Sequence, residues 1–166
     1  MPKTRRPLVL DITEDNAAMA GVLGCIGIVT GSALTWATVP IGVTTVTVGG
    51  LEANGKLTLL LGVLALAFFI ASLRLPGRDL PVLGGAVALG AAAIAGAYWS
   101  NVKAASGSVV ARLLEGRGTL DPSAISARFA ARPGPGLWVV VAGGGVVAVA
   151  SAILLARARA ARREAA

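Results

Sequence analysis

Residues 17–37 read AAMAGVLGCIGIVTGSALTWA, and residues 38–51 continue TVPIGVTTVTVGGL. The first stretch carries no Asp, Glu, Lys or Arg over 21 residues. As a helix it reaches about 30 Å, one hydrocarbon thickness. A water-soluble helix keeps a polar face, and this segment has none. The second stretch changes character: Val46 and Val48 alternate with Thr45 and Thr47, the period of a half-buried strand. A membrane-spanning helix that runs into a β-rich loop is therefore the expected opening motif.

Three more charge-free runs follow, at 57–73, 80–99 and 137–156. The third has Pro81 in its first turn, where a missing amide donor does little harm, and the fourth follows the turn signal Arg132-Pro-Gly-Pro-Gly136. Over the whole chain of 166 residues, 55% are hydrophobic, only 14% are charged, and mean hydropathy is +0.78. A soluble domain usually has about 25% charged residues. The expected fold is an all-α membrane protein, one domain over 1–166. It is a four-helix transmembrane bundle with a small extracytoplasmic cap: the β-rich first outer loop (38–56) and a short amphipathic helix in the second (100–136). Residues 101–114 are helix-compatible and prolong the third span. Ile125 and Phe129, four apart after the Asp121-Pro122 start signal, share a face of the amphipathic helix. A lone strand is unstable, so the first loop must pair with itself, with the second loop or with a partner chain.

Basic residues set the orientation. Lys3, Arg5, Arg6, Arg74, Arg78, Arg157, Arg159, Arg162 and Arg163 fall on the side of the two tails, 1–16 and 157–166. The other six lie in the long connections, so both termini are expected in the cytoplasm. Trp36, Tyr98, Trp99 and Trp138 all fall at the opposite ends of the spans, where an outer aromatic belt belongs. A cleaved signal at Thr35-Trp36-Ala37 fits less well, because Asp11, Glu14 and Asp15 interrupt the basic region and the apolar run is too long. Arginine outnumbers lysine twelve to three, a bias of high-GC bacterial coding, so the expected location is a bacterial plasma membrane.

The same residues exclude much chemistry. There is no histidine and one cysteine, Cys25, so a disulfide within the chain, a zinc centre or a histidine acid–base pair is not expected. The outer acids Glu52, Glu115 and Asp121 read as turn, surface and cap residues. Gly143-Gly-Gly145 lacks the lysine and hydroxyl of a phosphate loop. No ionised group lies inside a span, which argues against ion-coupled transport. The span hydroxyls are expected to bond to carbonyls one turn back. No catalytic residue, cofactor or metal is assigned, and the basic residues are read as membrane anchors rather than nucleic-acid contacts.

Small residues recur at helical spacing: Gly27 and Gly31; Gly84, Ala88, Ala92 and Gly96; Gly144, Ala148 and Ala152. Such rows let helix backbones approach closely, within the bundle or against another membrane protein. The leucine-rich second span is expected to face lipid or to fill the notches of its neighbours. Trp36, Val46, Val48, Trp99, Ile125, Phe129 and Trp138 are the candidate residues of the outer cap.

The segments Gly31-Ser-Ala-Leu-Thr-Trp36, Leu57-Thr-Leu-Leu-Leu-Gly62 after the Gly50–Gly55 turn, and Gly136-Leu-Trp138 ahead of Gly143-Gly-Gly145 resemble small four-span membrane proteins of actinobacterial type. A β-rich loop following a tryptophan is also similar in layout to claudin-type proteins, whose pair of loop cysteines has no counterpart here. The functional expectation is a non-enzymatic accessory or scaffold subunit that contacts membrane lipids and another membrane or envelope protein. The alternative is a small uncoupled pore or lipid/solute carrier.

Overall fold

The computed structural model describes residues 14–41, 44–75, 80–115 and 131–164. Helix α1 (Glu14–Ala33) leads into strands β1 (Thr35–Ile41) and β2 (Thr44–Gly49), and a 3₁₀ turn (Gly50–Glu52) precedes α2 (Gly55–Arg74). Then come α3 (Leu80–Glu115), β3 (Arg132–Pro133) and α4 (Pro135–Glu164). The four described helices are all long and apolar enough to cross a membrane.

The helices form a closed ring. α1 packs on α2 and α4, α3 packs on the same two, and α1 and α3 scarcely meet across the diagonal. Every adjacent pair is antiparallel. Gly21 lies against Phe69 while Ile28 lies against Gly62; Gly24 meets Val147 while Gly31 meets Val140; Gly85 meets Ser151 while Ala92 meets Gly144. The start of α1 and the end of α4 therefore share one end of the bundle, the tail end, and the strands sit at the other, the cap end.

The interior consists of Cys25, Ile28, Ala65, Phe69, Ala88, Ala91, Ala95, Val140 and Val147, all buried. Outward-facing positions are apolar as well: Met19, Leu23, Leu60, Leu64, Leu73, Leu83, Leu89 and Val149 are exposed. Helix α2 turns one side inward and several leucines outward. Its small and polar positions Gly55, Thr58, Gly62 and Ala65 are buried, and Leu57, Leu60 and Leu64 point outward. Phe69 fills a notch between Gly21 and Gly84, where a Cβ on Gly84 would lie 2.9 Å from its ring, and Leu61 and Leu66 pack half-buried against the core.

The first helix ends earlier than its hydropathy suggests. The apolar run reaches Ala37, but α1 stops at Ala33, and Leu34 donates its amide to the Gly31 carbonyl at 3.3 Å in a final tight turn. Thr35, Thr38, Val39 and Ile41 then extend as β1, because β-branched side chains lose rotamer freedom in a helix and fit a pleated surface. Hydropathy cannot separate these states, since a buried strand is as oily as a span. The other helices begin within two residues of their expected starts. α3 continues past position 99, as expected, and reaches about 54 Å. α4 runs on through the basic tail to Glu164, with Pro135 at its first position.

The strands form one antiparallel sheet in the order β2-β1-β3. Val39 pairs with Val46, Thr38 with Thr47 and Ala37 with Val48, but Thr35 pairs with Gly49, leaving Trp36 as the extra residue of a bulge. On the far side of β1, Ala37 and Thr38 pair with Pro133 and Arg132. The first loop thus pairs with itself and is also covered by the second connection. The amphipathic segment with Ile125 and Phe129 lies outside the described residues.

Candidate functional site

The cap is organised around Trp36. A bulge bends its strand and raises local twist, and here it turns the indole inward, where it is fully buried. Trp36 therefore is not part of an interfacial belt, as its place in the sequence suggests. It is the plug that joins sheet to bundle. Its Nε1 donates to the Gly31 carbonyl at 3.0 Å, and its ring meets Tyr98 of α3 edge-on, with centroids 5.2 Å apart. Gly50 must be glycine here, because a Cβ would strike the Ser32 carbonyl and the Trp36 indole. Two backbone bonds brace the plug: Gly50 N–H to Leu34 O and Gly134 N–H to Trp36 O, each 2.8 Å.

Beneath the indole, the Ser32 and Thr58 hydroxyls bond to each other at 2.8 Å. Each hydroxyl also lies within reach of a backbone carbonyl, Ser32 of Ile28 O at 2.7 Å and Thr58 of Gly55 O at 3.1 Å, so that while one hydroxyl donates to its carbonyl the other can donate across the pair. Such satisfaction is required of polar groups in a dry interior. Thr30 and Ser72 bond back along their own helices, to Ile26 O at 2.9 Å and Phe69 O at 2.7 Å. Ser151 departs from that expectation and crosses to the Pro81 carbonyl of α3 at 2.8 Å. The Glu52 carboxylate accepts the Gly49 amide at 3.2 Å, the turn role anticipated for it.

The candidate small residues divide by position. Gly84 and Ala88 are buried, Ala92 is half-buried and Gly96 is exposed, with nothing within 4 Å of a Cβ built on it. On α4 the same progression runs from buried Gly144 through half-buried Ala148 to exposed Ala152. The cause is geometric: at 3.6 residues per turn, each step of four turns the row by about 40°, so it winds out of the interface within three steps. The inner members do bring backbones together. A Cβ on Gly144 would lie 2.8 Å from the Ala92 Cβ, and one on Gly31 would lie 2.9 Å from the Gly136 carbonyl. Gly27 stands 3.7 Å from the Gly143 Cα in the same sense. Gly21 and Gly134, which receive Phe69 and β1, follow no row and leave no sequence signal beyond being glycine.

Two further features face outward. The outer edge of β2 has no neighbouring strand among the described residues, with Thr45, Val46 and Thr47 exposed (Val46 47%), while Val48 is half-buried. Trp99 is half-buried and Trp138 is 60% exposed at the cap end of α4. Toward the tail end an apolar groove of about 380 Å³ runs between α1 and α4, and a second of about 230 Å³ runs between α4 and α3. Among the described residues, no three His, Cys, Asp or Glu side chains converge. Comparison of the chain with known proteins finds no family model and no curated sequence that matches it.

Proposed function

We propose that the protein is a non-enzymatic, multi-pass subunit of a bacterial plasma membrane, with both ends in the cytoplasm, and that its cap holds an extended segment of another membrane or envelope protein. One observation carries this reading: among the described residues, the sheet protects one edge and leaves the other open. On β1, β3 covers Ala37 and Thr38, and Pro40, which has no amide to offer, blunts the stretch beyond. On β2 the outer edge has no proline, no charge and no covering element among the described residues. Monomeric proteins blunt such edges, and strand addition is the standard use of one left open. The ring of exposed apolar side chains supports placement in a bilayer, and the density of basic residues at the tail end supports the orientation. Most of the small-residue faces are consumed within the bundle, so the partner is assigned to the cap. The hydroxyls that a passage would need are already engaged, as described for Ser32, Thr58 and Ser151.

Photoreactive residues at Thr45 and Thr47 test the reading in intact cells. The expected result is one protein adduct from these positions, absent from the outward-facing position of Leu57 and lost in a Val46→Lys variant. Lipid adducts alone at Thr45 and Thr47 would overturn it.

A further inference from the structure

We infer that the tail end of α4 is a built site for an anionic phospholipid, with its acyl chains in the two grooves flanking α4 and its phosphate on Arg157 and Arg159. The inference rests on the membrane placement above but is independent of any partner at the cap.

Three observations meet at this place. The α1/α4 groove is lined by Ala17 and Ala20 on one wall and runs along α4 from Ala142 to Ile153. Eleven residues of helix rise about 16 Å, half of a hydrocarbon core of about 30 Å, so the groove is as long as one leaflet is deep. The second groove, on the opposite flank of α4, runs from Ala148 to Leu155 against Val82 and Leu89 of α3, in the same half of the bundle. Each groove then ends one turn before an arginine on its own face: Arg157 is four residues beyond Ile153, and Arg159 four beyond Leu155. Helix α4 is unbroken through both, so the guanidinium groups stand where the headgroup layer begins. Between the grooves the exposed face of α4 is made of small residues: Gly145 and Val149 border the first groove, Ala152 borders the second, and Ala156 follows toward the tail. A two-chain lipid can straddle this face.

Charge decides the occupant. A transmembrane helix laid in either groove would bring further apolar surface but nothing to meet two cations at its end. An anionic phospholipid satisfies both parts, since arginine pairs bidentately with phosphate and the cytoplasmic leaflet is rich in acidic lipid.

The purified full chain, reconstituted in vesicles of phosphatidylglycerol and phosphatidylcholine and then released gently for native mass spectrometry, provides the test. Phosphatidylglycerol should remain bound in preference to phosphatidylcholine. Arg157→Gln with Arg159→Gln should weaken retention about thirtyfold, from roughly one phosphate-facing charge each. Gly145→Phe and Ala152→Phe fill the grooves without disturbing the bundle, because a Cβ at Gly145 meets nothing within 4 Å and Ala152 is exposed. Each should also release the lipid. Loss with the arginine variants but not with the phenylalanines would mean simple attraction to the tail and would overturn the site. So would equal retention of phosphatidylcholine, or retention unchanged in every variant. Failure of the membrane reading looks different, since the chain would then not enter vesicles at all. Failure of the cap reading leaves lipid retention intact, as Val46→Lys should show.

Discussion

Replacement of Trp36 by alanine separates the plug from a belt tryptophan. The side chain is fully buried, and an indole buries roughly 150–250 Å², so area alone sets an upper bound of about 4–6 kcal/mol. Measured truncations of buried aromatics cost about 3–5 kcal/mol, including cavity formation. Within that, the 3.0 Å bond from Nε1 to Gly31 O accounts for about 1 kcal/mol. The Gly31 carbonyl keeps its bond from Leu34, so no acceptor is stranded to raise the cost. A loss of about 4 kcal/mol corresponds to a roughly thousandfold rise in cap opening. The amides of Gly50 and Gly134 read that opening directly, because their acceptors, Leu34 O and Trp36 O, flank the indole. Hydrogen exchange in a membrane mimetic should therefore show about three orders of magnitude lost at both amides in Trp36→Ala. In Trp36→Phe, which keeps a ring but loses the donor, the loss should be about fivefold. Trp138→Ala, at a mostly exposed position, should change either amide less than about threefold. Protection at Gly50 and Gly134 that survives Trp36→Ala, or falls equally in Trp138→Ala, would refute the assignment.

Gly143→Ala should destabilise the bundle by about 1–3 kcal/mol, because the new methyl would lie 2.7 Å from the rigid Gly24 carbonyl; Gly145→Ala, where a Cβ is unobstructed, should be neutral or stabilising by up to about 1 kcal/mol. Thermal or denaturant unfolding in one detergent compares the pair. A double-mutant cycle of Ser32→Ala and Thr58→Val should give a coupling of about 0.6–1 kcal/mol, and zero coupling would mean the two hydroxyls do not bond. Cysteines placed at Thr45 and Ala160 in a Cys25→Ser background should respond oppositely to an impermeant maleimide on intact cells. Thr45 should label and Ala160 should not; the reverse would invert the proposed orientation.

The sequence was most readable where one physical requirement acts alone. Absence of charge over a bilayer's length marks all four helices, and β-branching marks the first loop as extended. Where two requirements share a signal, reading fails. The segment 34–37 is oily both as the end of a span and as the root of a strand, so hydropathy carries the first span four residues beyond the end of α1 at Ala33 and starts it three after Glu14. Trp36 took the belt role for the same reason: aromatic residues at a span end serve as anchor or plug, and only the bulge that turns this one inward decides. Spacing by fours identified close helix contacts but overextended them, since a straight helix winds such a row away from its partner between Gly84 and Gly96. Long-range pairings had least voice. Arg132-Pro133 reads as part of a turn, and its bridge to β1 follows from where α4 begins rather than from those residues.

That bridge has a consequence for biogenesis. Gly134, whose amide closes on the Trp36 carbonyl, is made 98 residues after it, which at about 5–20 residues per second is an interval of roughly 5–20 s. Throughout that time the hairpin of β1 and β2 exists without its β3 partner, while the segments of α1, α2 and α3 have already been made. The sheet thus waits for a segment made after α3, and a nascent chain stalled short of position 132 presents on β1 an edge that β3 covers at Ala37 and Thr38 in the finished fold.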